Sequence, residues 1–83
     1  MGSLSPMQKT LYSRQYQHML KLLREKRVLA ALSQTELAER LEWTQAEVSK
    51  CETGVRRLYV IELKLWLEAL DSDMVTFVQE LIA

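Results

Sequence analysis

The tightest constraint on this chain is the stretch SQTELAERLEWTQAEVSKCETG, residues 33–54, which holds two helix starts eleven positions apart. Ser33 with Glu36, and Thr44 with Glu47, each have the spacing of a capping box. There the hydroxyl accepts the N–H of the third helical residue, and that residue's carboxylate accepts the N–H of the capping residue. Each box pairs donors that a helix start otherwise leaves unpaired, stabilising the helix by about 1 kcal/mol. The spacing predicts one helix over 34–41 and another over 45–52, with almost no loop between them. Trp43 and Val48 straddle the second cap as a hydrophobic staple, and Gly54 is placed to stop the second helix in a left-handed conformation. Helices of about eight residues are not stable alone. Leu37, Ala38, Leu41, Val48 and Cys51 are the side chains available to pack them, and Ala38 is small enough to let a neighbour cross closely. Two short helices joined by a tight turn and packed on a third describe a helix-turn-helix.

The third helix lies upstream. Tyr12, Tyr16, Met19 with Leu20, and Leu23 recur at the helical period. They predict a helix from about Ser13 to Leu29 whose outer face, KLLREKR, is basic. Downstream, Leu63, Trp66, Leu67 and Leu70 form a core stripe, and Ile61, Leu65 and Ala69 form a second apolar stripe on the same helix. One stripe is enough to pack a helix inside a small domain. After the DSD break, Met74, Phe77, Val78 and Leu81 form a further amphipathic face, with Asp73 favourably placed at its start. With only two glycines and one proline in 83 residues, the expected fold is all-α, a compact bundle of about five helices around the central helix-turn-helix. Residues 1–12 read as an N-terminal arm, with MGSLSP as an appended leader and Met7 as a natural start. Residues 13–70 read as the helix-turn-helix domain, and 71–83 as a C-terminal helix available for dimerisation.

The formal net charge is zero, but it is unevenly distributed. Lys9 and Arg14 in the first twenty residues face no acid. Residues 21–57 carry eight basic side chains against six acidic ones, whereas residues 58–83 carry Lys64 against Glu62, Glu68, Asp71, Asp73 and Glu80. The front of the chain is therefore suited to an anionic partner and the back to something else. One cysteine forms no internal disulfide, and one cysteine with one histidine (His18) builds no structural zinc site. No metal or cofactor is expected, and a reducing cytoplasm is the expected compartment. No acid/base pair or activated nucleophile is visible, so no enzymatic activity is expected.

The run LSQTELAERLEWTQAEVSKCETGVRR resembles the Cro/C1-type (XRE-type) helix-turn-helix family of phage repressors and bacterial transcription regulators, with the lambda-repressor-like fold. Leu32-Ser33-Gln34, Glu36-Leu37-Ala38, Thr44-Gln45, Val48-Ser49, Glu52 and Gly54 all fall at that family's spacing. The resemblance implies that Gln34 contacts a DNA phosphate and that Gln45, Ala46, Ser49 and Lys50 face the groove. It also implies that Arg27 pairs structurally with Glu52, and that Arg56 and Arg57 touch the backbone from the loop after the recognition helix. Ala31 and Glu42 stand where the family often has glycine, and Tyr59 where proline is common.

The residue chemistry fits those roles. A glutamine amide bonds adenine bidentately, lysine reaches the guanine acceptors, and an alanine methyl suits thymine. Arg56, Arg57 and Thr44 are candidate phosphate contacts, which position the protein without reading sequence. The competing reading is a solvated polar face. Glu47 is expected to serve as a cap alone, Trp43 as packing, Cys51 as a small core residue and His18 as a surface residue. One such domain touches few base pairs, so a homodimer on an inverted repeat is expected, with Ile61, Leu65, Ala69, Phe77 and Leu81 as interface candidates. The expected function is a sequence-specific regulator, a repressor or autoregulator. The alternative is an antitoxin or adaptor that binds a protein partner through its acidic, apolar C-terminal third.

Overall fold

The computed structural model describes the backbone of residues 6–83 and the side chains from residue 13 onward. Five helices follow one another, with no strand among the described residues: α1 (Pro6–Leu29), α2 (Gln34–Leu41), α3 (Gln45–Glu52), α4 (Val60–Ala69) and α5 (Met74–Ile82). The sequence placed α2, α3 and the start of α5 at these bounds. The first helix begins at Pro6 rather than near Ser13, and proline suits a first turn because its missing N–H would have no partner there. The side chain of Tyr12, and the leader reading of MGSLSP apart from the backbone of Pro6, lie outside the described residues.

Both capping boxes are present. Ser33 Oγ accepts from Glu36 N–H at 3.0 Å and Ser33 N–H donates to the Glu36 carboxylate at 2.9 Å. Thr44 and Glu47 repeat the pair at 3.2 and 3.0 Å. Asp73 caps α5 by accepting Thr76 N–H at 2.8 Å. Tyr59 precedes α4, where its N–H donates to the Glu62 carboxylate at 3.0 Å.

Three helices end on a left-handed residue other than glycine. Ala31, Glu42 and Asp71 have φ of 58°, 58° and 57°. In each case the following amide returns to the helix: Leu32 to the Arg27 carbonyl, Trp43 to Ala38 and Ser72 to Leu67. These bonds pair carbonyls that a helix end leaves open, the Schellman arrangement that glycine usually serves. Gly54, at φ 82°, fills the corresponding place after α3.

The core draws on every element: Leu20 and Leu23 from α1, Leu32 from the turn, Leu37 and Ala38 from α2, Val48 and Cys51 from α3, Trp66, Leu67 and Leu70 from α4, and Phe77 from α5. Trp43 sits half-buried against it, edge-to-face on Trp66 with ring centroids 6.0 Å apart. Leu41, Leu63, Met74 and Leu81 pack at its margin. Phe77, expected at an interface between copies, is instead fully buried in its own chain, because α5 folds back onto α1. Lys26 on α1 holds Glu80 on α5 at 2.6 Å. The apolar side chains α5 leaves exposed are Val75, Val78 and Ile82.

Candidate nucleic-acid interface

The four groove-facing candidates all sit on α3. Gln45, Ala46 and Lys50 are exposed and Ser49 is half-buried, so one side of α3 faces outward while Val48 and Cys51 face the core. Cys51 is fully buried, and burial pushes its thiol above the ordinary range, so it is an inert packing group.

A line of hydrogen bonds fixes the pose of that helix. Arg27 Nε and Nη2 donate to the Glu52 carboxylate at 2.7 and 3.2 Å, and Arg27 Nη1 donates to the Leu32 carbonyl at 2.8 Å. Gln34 Nε2 donates to Glu52 at 2.8 Å, and Gln45 Nε2 donates to Gln34 Oε1 at 2.8 Å. The chain Gln45–Gln34–Glu52–Arg27 thereby ties the start of α3 to the start of α2, to the end of α3 and to α1. The expected pairing of Arg27 with Glu52 is one link of it. Glu52 keeps only 3 % of its side chain exposed, so its charge is carried by this pairing. Gln45 spends one amide N–H on Gln34; a bidentate bond to adenine would use an amide N–H together with the amide oxygen.

The link between the two glutamines was not foreseen, although the sequence held a cue. Capping boxes eleven residues apart set Gln34 and Gln45 at the same first helical position of successive helices.

The phosphate candidates divide. Gln34 is half-buried at the start of α2. Thr44 is occupied: its hydroxyl donates to the Glu47 carboxylate at 3.1 Å and accepts Glu47 N–H. The same contacts turn Glu47 back from the outer face, and its hydrogen bonds to Thr44 hold its carboxyl below the usual range.

Arg56 departs from expectation. Its guanidinium grips Glu62 at 2.7 and 3.3 Å, donates to Cys51 Sγ at 3.3 Å and lies 4.8 Å from the Trp43 ring centroid. It is a strut from the end of α3 to the start of α4, since a bidentate carboxylate is a stronger and nearer partner than solvent. Opposite charges six positions apart across a loop have no periodic signature, so the sequence did not reveal the pair. Arg57 is exposed, with its guanidinium 4.6 Å from the Tyr16 ring centroid. Tyr16 OH also accepts Leu58 N–H at 3.3 Å, fastening this loop to α1.

Of the interface candidates, Ile61 and Leu65 are 64 % and 46 % exposed, while Ala69 and Leu81 are half-buried. His18 is exposed on α1. No group of three or more potential metal ligands occurs among the described residues. No helix there is long and apolar enough to cross a membrane.

The chain matches a family described as helix-turn-helix over residues 23–77. An XRE-family like protein from Pseudomonas syringae pv. tomato str. DC3000 superposes with a TM-score of 0.89 at 38 % identity, covering 94 % of this chain and 95 % of the other. A mutant of the restriction-modification controller protein C.Esp1396I shares the fold, with a TM-score of 0.76 at 24 % identity over 82 % of this chain and 91 % of that one. No curated protein matches the sequence.

Proposed function

Because the chain belongs to the Cro/C1-type (XRE-type) helix-turn-helix family of DNA-binding transcription regulators, we propose that it reads a specific inverted repeat in double-stranded DNA as a homodimer. It does so in the cytoplasm, to repress transcription, its own included. The observation that carries this reading is the bonded line Gln45–Gln34–Glu52–Arg27. A side chain meant to read a base edge has to be held before the base arrives, and this line holds Gln45 through Gln34, which Glu52 and Arg27 hold in turn.

Gln45 takes adenine, Lys50 takes guanine acceptors, and Ala46 and Ser49 line the same face. Gln34 and Arg57 contact phosphates on either side, setting register. Arg56 keeps the loop in place and makes no phosphate contact. Dimerisation is supported by the exposed apolar side chains of the last two helices, Ile61 and Leu65 on α4 and Val75, Val78 and Ile82 on α5. Two copies would present α3 in successive major grooves about 34 Å apart.

The test is selection of bound sequences from a random duplex pool, run beside Gln45→Ala and Lys50→Ala. The expected result is an inverted repeat whose preference relaxes at one position per half-site in each variant. Recovery of no motif from a protein that light scattering shows to be dimeric would refute DNA reading and point to a protein partner.

A further inference from the structure

We propose that the outer edge of α1 is an additional phosphate-binding ledge, taking the DNA backbone beyond the segment that α3 reads; this rests on the DNA-binding reading above. One side of α1 meets α5, where Lys26 holds Glu80. Another side, with Leu20, Leu23 and Arg27, turns into the core and toward Glu52. The stripe Arg14, Gln17, Lys21 and Arg24 remains, spaced three and four apart and exposed throughout. It carries three cations and no acid. Over ten positions at 1.5 Å rise it extends about 15 Å, long enough to accompany several phosphates of one strand.

Its position relative to the reading face is given by three contacts. A Cβ placed on Gly54, just after α3, would lie 3.4 Å from the Leu20 side chain and 3.5 Å from Gln17 Nε2. Gln17, Lys21 and Arg24 line a cleft of about 380 Å³ together with Glu52, the last residue of α3, and with Leu20 and Glu25. Glu52 also bonds Gln34, so the cleft shares a wall with the start of α2, which meets phosphate in the proposed complex. Glu52 does not neutralise the ledge, because its carboxylate is already occupied by Arg27 and Gln34. Glu25 is the acid that opposes an anion at the rim. Arg14, Gln17 and Lys21 precede the segment matched to the family, which begins at residue 23.

Phosphate contacts of this kind add affinity and salt dependence without altering which sequence is preferred. The experiment titrates the intact chain, Lys21→Gln/Arg24→Gln, Glu25→Gln and the control Lys64→Gln against the selected duplex from about 50 to 200 mM salt, the range over which such contacts are read. Each protein is measured on a long duplex and on one trimmed to the recognised sequence. On the long duplex the double variant is expected to bind at least about tenfold more weakly, with a log–log salt slope shallower by about two, and to keep the same preferred sequence. Glu25→Gln is expected to bind more tightly, Lys64→Gln to match the parent, and trimming to erase the differences. A double variant with the parent's slope on the long duplex overturns the ledge while leaving DNA reading intact, as does an equal loss in Lys64→Gln. A parent protein that binds no duplex overturns both.

Discussion

Glu42 shows how much a single position can hold in tension. Its φ of 58° ends α2 in a left-handed turn, which a side chain disfavours by about 1–2 kcal/mol relative to glycine. The turn persists because the Trp43 amide returns to Ala38 and the Trp43 ring packs on Trp66. Replacing Glu42 with glycine should therefore stabilise the fold, by about 0.5–1 kcal/mol once glycine's extra freedom in the unfolded chain is counted. That corresponds to a melting temperature several degrees higher. Glu39→Gly, three residues earlier inside the helix, should lower it by a comparable amount. Two glycine substitutions of opposite sign in thermal melts would isolate the backbone effect, and a lower Tm for Glu42→Gly would sink it. The sequence marked position 42 as a turn lacking its usual glycine. It did not mark Asp71, the third left-handed cap, because nothing local distinguishes an aspartate that ends a helix from one that starts the next.

At the scale of the helix, starts were more legible than tertiary partners. Ser33, Thr44 and Asp73 announce their helices because a cap and its amide lie within four residues of each other, so the whole interaction is written locally. The Arg56–Glu62 pair and the Gln34–Gln45 link are made only when α2, α3 and α4 are packed; the equal placement of the two glutamines after their caps hints at the second, and no period marks the first. The caps share an electrostatic consequence. Glu36 accepts from Ser33 N–H, Glu47 from Thr44 N–H and Asp73 from Thr76 N–H, while Glu62 is held chiefly by Arg56 and then by Tyr59 N–H; all four carboxyls lie below their ordinary values. A carboxyl that binds its proton less readily when folded stabilises the fold above its unfolded pKa, roughly pH 4–4.5. That contribution is lost as pH falls through the folded values. Urea melts should therefore show stability flat near neutrality and declining below about pH 4.5, with a shallower decline in Glu62→Gln. An acid limb of unchanged steepness in that variant would detach Glu62 from the effect.

For the molecule as a whole, the question is what the second apolar stripe is for. The sequence showed two stripes on α4 and one on α5, and a helical period states that a face is apolar without stating what covers it. Packing answers for Phe77, which the single chain buries completely, and for Trp66 and Leu67. It leaves Ile61 and Leu65 open on α4. Exposed apolar side chains concentrated on a small domain with zero formal net charge favour self-association. In the proposed dimer, two copies of a domain measuring 40 × 27 × 20 Å would have to set their α3 helices about 34 Å apart, the separation of successive major grooves. Ile61→Glu with Leu65→Glu should then produce a folded monomer, since neither side chain belongs to the core. DNA binding should weaken steeply, because each half-site must be held on its own. Phe77→Ala should do something different: lose about 3–5 kcal/mol of stability and with it the helical signal. Sedimentation and circular dichroism on the two variants separate an interface from a core. A double glutamate variant that stays dimeric would move the two-fold axis away from α4, toward the exposed Val75, Val78 and Ile82 of α5.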